Sequence, residues 1–180
     1  MKLLRIKNIF FILTFVLSCD IFNEQVINDS NFSGDPLGIA YDVRMVYTDS
    51  SKIKAILTSP KHIDFTNLSL KYSEFPEGVK VVFYDNFKNE NIIVADYGIL
   101  YNNTSIIDLK GNVVLESHDK SILNTSQLYW DADSDWIFTE EKFTFISEDY
   151  NVNATRLDTN REFSKFQTGE LYGTVTVEEK

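Results

Sequence analysis

From Gly38 onward, apolar and polar residues alternate in short runs separated by turn-forming clusters. A period of two puts successive side chains on opposite faces of a strand. Ile39, Tyr41, Val43, Met45 and Tyr47 line one face of the first run, with Asp42, Arg44 and Thr48 on the other. Asp49-Ser50-Ser51 turns the chain, and Ile53, Ala55 and Leu57 resume the alternation. Ile63 and Phe65 follow, and the apolar phase then moves to Leu68, Leu70 and Tyr72, which predicts a bulge. Phe75-Pro76-Glu77-Gly78 reads as a turn, with Val79, Val81 and Phe83 after it. Ile93, Ala95, Tyr97, Ile99 and Tyr101 predict one long strand. Ile106–Leu109 predicts a short one, closed by a turn at Lys110-Gly111-Asn112 before Val113 and Leu115.

Ser121–Ser147 predicts three strands with two tight connections. In the first, Ile122, Asn124, Ser126 and Leu128 share one face, and Leu123, Thr125, Gln127 and Tyr129 the other. Further runs occupy Val152–Thr155, Phe163–Phe166 and Leu171–Val177. Aromatic and β-branched residues dominate throughout, as a half-buried pleated surface requires. About a dozen strands with no helical period indicate an all-β sandwich, roll or barrel.

The first residues follow another pattern. Met1–Lys7 carries three positive charges, and the apolar run after Asn8 is too short for the roughly 20 residues of a membrane span. It ends in Val16-Leu17-Ser18-Cys19, which resembles a bacterial lipobox, and Cys19 is the chain's sole cysteine. Residues 1–18 are therefore expected to be a lipoprotein signal peptide, with Cys19 acylated and the protein held on a membrane. Asp20 resembles the inner-membrane retention signal of enterobacterial lipoproteins. Residues 19–37 are polar enough to be a flexible tether, leaving 38–180 as the folded domain. The net charge is −10, and loss of Lys2, Arg5 and Lys7 with the leader takes it to −13. That balance excludes the basic footprint of a nucleic-acid partner.

Candidate chemistry is sparse. His62 and His118 have no ligand spacing with each other or with Cys19, and both are expected to be solvent-exposed. Asp131-x-Asp133-x-Asp135 has the spacing of a calcium loop, but Trp136 and Lys142 stand where such a loop needs Gly and Glu. A polar hairpin turn is expected there instead. No phosphate loop, nucleophile elbow or zinc motif occurs, so neither catalysis nor a cofactor is expected.

Several short segments carry a resemblance in their order and spacing. They are Gly38-x-x-Tyr41-Asp42, Tyr72-x-x-Phe75-Pro76-x-Gly78-Val79, Ala95-Asp96-Tyr97, Gly111-Asn112-Val113-Val114, Leu123-Asn124-Thr125, Leu128-Tyr129-Trp130-Asp131 and Ile137-Phe138-Thr139. Together they resemble the LptC family of periplasmic lipopolysaccharide-export proteins, in its lipoprotein-type branch, related to LptA/OstA-like domains. The resemblance implies a twisted, open β-jelly-roll of two facing antiparallel sheets. It also implies lipopolysaccharide bound by its acyl chains between the sheets. The lipid would come from an inner-membrane ABC transporter and pass to an LptA-type bridge protein. A lipobox stands here where many members have a transmembrane anchor, and the glycine common near Val152-Asn153-Ala154 is missing.

Alternation and resemblance together nominate Tyr41, Val43, Phe65, Leu70, Phe83, Tyr97, Ile99, Leu115, Leu128 and Phe145 as acyl-chain contacts. Burying a dozen methylenes at about 0.8 kcal/mol each offers roughly 10 kcal/mol gross. The β-prone run with Leu171, Gly173, Val175 and Val177 is the expected partner edge, with the Ile39–Tyr47 end facing the transporter. The residues alone leave a second reading open: a periplasmic or surface β-sandwich lipoprotein that binds glycan or protein.

Overall fold

The structure is a computed structural model that describes residues 34–85, 88–161, 163 and 165–175. The expected leader, most of the expected tether, Cys19 and Val177 lie outside the described residues. The described chain is all-β: β1 (Gly38–Asp49), β2 (Lys52–Asp64), β3 (Tyr72–Phe75), β4 (Val79–Tyr84), β5 (Glu90–Ala95), β6 (Tyr97–Tyr101), β7 (Ile106–Glu116), β8 (Ile122–Asp131), β9 (Trp136–Ile146), β10 (Tyr150–Asn160), β11 (Phe166–Thr168) and β12 (Leu171–Val175). They form one antiparallel sheet in which chain order and spatial order nearly coincide. The apparent exceptions are two pairs acting as single bent strands. Along β2, residues 55–58 pair with β4 and residues 63–64 with β3; along β7, residues 106–110 pair with β6 and residues 114–116 with β5.

The sheet is therefore a meander folded over a transverse crease into two facing layers, a β-jelly-roll. The first layer holds the early half of β2, β4, β5, the late halves of β7 and β9, and the early halves of β8 and β10, with β12 at its edge. The second layer holds the complementary halves, with β3, β6 and β11. Inner side chains of both layers merge into one core that includes Phe75, Val81, Phe83, Ile93, Leu109, Leu115, Leu123, Leu128, Ile137 and Leu157. The layers touch directly, since the Phe83 and Trp130 ring centroids lie 5.5 Å apart.

The crease has its own chemistry. Asp42, Gly78, Gly111, Asn112 and Arg156 all take positive φ there. Glycine, asparagine and aspartate tolerate that conformation best, because they have no Cβ or a short polar side chain. The register shifts at Lys110/Val113, Thr125/Tyr129 and Thr155/Leu157 fall at the same level of the sheet. Hydroxyls and amides stitch the bend. The Ser59 hydroxyl lies 2.7 Å from the Gly78 carbonyl, and Thr139 donates to the Gln127 carbonyl at 2.6 Å. The Asp96 N–H donates to the Gly111 carbonyl at 2.9 Å, while Asn112 Nδ2 donates to the Asp96 carboxylate at 2.7 Å.

Three sequence expectations are corrected here. Lys110-Gly111-Asn112 is a bulge inside β7 rather than a turn, because β8 pairs along both sides of it. The expected strand Ile93–Tyr101 is two, broken at Asp96 where the chain crosses the crease. Residues 65–71 form a loop rather than a bulged strand; Phe65 N–H donates to the Tyr72 carbonyl at 2.9 Å and closes it. Asp131–Asp135 is the expected hairpin turn: the Asp131 carboxylate accepts the N–H groups of Asp133 and Ser134, both at 3.0 Å.

Candidate functional site

Inner and outer faces follow from register, since directly opposed residues share a side. Ser73 and Phe75 on β3 are buried, Gly98 opposes Phe75, and Leu109 opposes Gly98. A Cβ on Gly98 would come 2.9 Å from Val79 Cγ1 and 3.4 Å from Leu109 Cδ2. Gly98 and Leu100 thus face inward, and Tyr97, Ile99 and Tyr101 face out.

Between the layers, on the β1 side, lies an apolar cleft of about 200 Å³. Met45, Leu57 and Val81 of the first layer face Leu100, Ile107 and Trp130 of the second across it. Its polar atoms are few. Ser105 and Tyr47 sit in the wall, and Tyr47 donates to Asp133 Oδ1 at 3.3 Å, tying β1 to the β8–β9 turn. Burial, and then this bond, raise the Tyr47 phenol above its ordinary range. The indole Nε1 of Trp130 is buried without a hydrogen-bond partner. At the opposite end of the interior, Phe145 reaches across to Phe163 and Phe166, each with a ring-centroid separation of 6.4 Å.

The ten nominated lipid contacts fall into three groups. Phe83, Leu115 and Leu128 are fully buried core residues. Val43 and Phe145 are half-buried against that core, near the two ends of the interior. The other five are not on the inner face as expected. Tyr97 and Ile99 face out for the reason given above, and burial followed by the nearby Glu74 carboxylate pushes the Tyr97 phenol up to about 12. Tyr41 is 67% exposed, because the positive φ of Asp42 turns the strand over between it and Val43. Phe65 and Leu70 belong to the loop; Phe65 stacks on Tyr72 at 4.7 Å, and Leu70 is 57% exposed. The cleft residues Met45, Leu57, Val81, Leu100, Ile107 and Trp130 were not among the ten, although their alternating positions were a usable signal for all but those beyond a crease.

His62 is also corrected. It is half-buried and stacked on Phe75 at 5.4 Å, because β2 changes face at the crease. His118 is exposed in the β7–β8 turn. Among the described residues, no cluster of His, Cys, Asp or Glu could hold a metal ion.

Both lateral edges of the sheet are open among the described residues. β1 pairs only with β2, and β11 and β12 pair only with β10. The C-terminal run Leu171–Val175 is thus an edge strand, with Leu171 and Gly173 opposing Ala154 and Val152 of β10. The interior runs from one open edge to the other.

The family model described as "Lipopolysaccharide-assembly, LptC-related" matches residues 22–177. No curated protein matches the chain.

Proposed function

The chain belongs to the LptC-related family of lipopolysaccharide-assembly proteins, and from that premise we propose how it works as a component of lipopolysaccharide transport. The family is one of periplasmic transport and binding proteins associated with the inner membrane. The proposed role is to receive lipopolysaccharide from an inner-membrane ABC transporter and pass it to an LptA-type bridge. The observation that carries the reading is the apolar cleft between the layers at the β1 edge. An acyl chain entering there meets Met45, Leu57, Val81, Leu100 and Ile107, and advances toward Phe83, Leu115 and Leu128 as the layers part. A glycan site would instead need a groove rimmed by exposed aromatic rings, and this cleft is lined mostly by aliphatic side chains from both layers, with Tyr47 at its wall and Trp130 buried. Photo-crosslinkers at Leu57, Val81 and Ile107 are expected to capture lipopolysaccharide, and crosslinkers at Tyr97 and Ile99 are not. Capture only from the outer pair would reverse the assignment of faces.

The open edges support the rest of the proposal. β1 faces the transporter, and the Leu171–Val175 edge adds to a strand of the bridge protein, so that the interior continues across the join. Proline at Val175 is expected to abolish pull-down of the bridge while lipid capture persists. Retained pull-down removes this strand from the interface. Cys19 is proposed as the acylated anchor, holding the domain at the inner membrane. Cys19→Ser is expected to release the protein into the soluble fraction, and unchanged membrane retention would refute the anchor.

A further inference from the structure

A buried hydrogen-bond donor in an otherwise apolar cleft is an anomaly that calls for a partner. Trp130 lies in the cleft wall and is 2% exposed. Its neighbours across the ladder are Ile107 and Ile137, and Phe83 packs on its ring. None of these side chains can accept a hydrogen bond, and the indole N–H has no acceptor within reach. A buried donor left unsatisfied forfeits its hydration with nothing in return, which is why such groups are rare and tend to mark function. A phenylalanine would fill much the same space with no such cost. The indole has one polar capability, donation from a single N–H. The nitrogen is closed off from the cleft while the layers are packed, so what satisfies it must bring an oxygen between the layers as they part, on a body otherwise apolar enough to lie against Met45, Leu57, Val81, Leu100 and Ile107.

We propose that Trp130 is a specificity-determining residue that donates its indole N–H to a neutral ester carbonyl oxygen on the acyl portion of the bound lipid. This rests on the reading of the cleft as an acyl-chain site and adds the chemical feature that the site selects. A bare hydrocarbon chain fills the cleft and leaves the donor unpaired. A chain with an oxygen near its head pairs it. An anionic group is disfavoured, since the cleft has no cation to compensate it. The N–H therefore sets the depth to which a chain enters, with the oxygen stopping at Trp130 and the hydrocarbon beyond it.

The test uses the full-length chain and two glycerol lipids of equal chain length, one with an ester and one with an ether linkage. They differ in the carbonyl alone. The ester lipid is expected to bind about three- to tenfold more tightly, as one net hydrogen bond in a protein interior allows. In Trp130→Phe the ester-to-ether affinity ratio is expected to fall to about one. Because Trp130 and Trp136 are the only tryptophans, Trp136→Phe isolates the Trp130 emission. In that chain the ester lipid is expected to shift emission to the red relative to the ether lipid, and this reading does not require the Trp130 variant to fold. Equal affinities in the unmodified chain, with no difference in emission, would overturn the proposal while leaving the acyl-chain site standing. Failure of both lipids to bind would overturn the acyl-chain reading and this inference with it.

Discussion

Truncating Leu128 to alanine separates a packed interior from an open groove. Leu128 is fully buried on β8, opposite the equally buried Leu109. The substitution removes three carbons, or about 2.4 kcal/mol of transfer free energy at 0.8 kcal/mol each. The unfilled space raises the loss to about 2.7–5 kcal/mol, since neighbouring strands collapse only partly into it. A domain of this size has about 5–15 kcal/mol of stability. The variant should therefore stay folded in the cold and melt about 8–20 °C lower. The assay pairs a thermal melt by circular dichroism with lipopolysaccharide photocapture from Val81, well below the transition. Captured yield should stay near that of the unsubstituted chain, because Leu128 lies away from the cleft wall. An unchanged melting temperature together with abolished capture would show that the layers stand open in solution and that Leu128 is a groove residue, which would refute a packed interior.

Gly98→Ala should destabilise the domain by about 1–3 kcal/mol through overpacking, because the new Cβ would sit 2.9 Å from Val79 Cγ1. Urea denaturation checks it, and adding Val79→Ala should give a total loss smaller than the two single losses combined. Burial would raise the Asp64, Asp119 and Asp131 carboxyls, but hydrogen bonds from the turns they close outweigh it and hold all three below the ordinary range. Their stabilisation is present above the unfolded value of about 3.9 and is lost as pH falls through the lowered folded values; Asp131→Asn should flatten that acid limb in urea midpoints measured against pH. Tyr47→Phe removes the 3.3 Å bond across the cleft mouth; bound lipid should leave about two- to tenfold faster in a stopped-flow release assay, with little change in melting temperature.

Strict alternation located nearly every strand, and it assigned faces correctly until the chain met the crease. Inner positions there are spaced differently in the two running directions. From the first layer to the second, the inner side chain steps three residues: Ser59 to His62, Ala95 to Gly98, Thr125 to Leu128, Ala154 to Leu157. On the return it steps four in Phe75 to Val79, Leu109 to Val113 and Thr139 to Phe143, whereas β1, which also returns, turns over at Asp42. A step of three inverts the parity and a step of four preserves it. Alternation carried through β7 and β9 therefore stays right, and carried through β2, β5–β6, β8 and β10 it turns inside out. This is why alternation places Tyr97 and Ile99 in the core while the structure turns them outward. Gly111-Asn112 and Gly78 signalled a break of direction, but a turn and a bulge draw on the same residues. Arg156 gave no local sign, since nothing in an arginine favours positive φ.

A carrier on this plan binds by a balance of two terms. The cleft of about 200 Å³ admits roughly seven methylenes, taking each as about the size of a water at 30 Å³. Their burial is worth about 5–6 kcal/mol, which is comparable to the lower range of the free energy lost on association, about 4–15 kcal/mol. The cleft alone therefore holds a single chain only weakly. Deeper binding requires the layers to part, and that separates packed rings such as Phe83 from Trp130 and Phe145 from Phe166. The burial of each further methylene is offset by the packing it displaces between the layers, so net affinity rises slowly with depth. That compensation suits a protein that must release what it binds. A rigid open trough would gain the full burial of every methylene and retain its lipid. On the proposed reading, a folded sheet bent at residues of positive φ would re-form its own core as the chain departs, and the restored packing of one layer on the other would help drive the lipid onward.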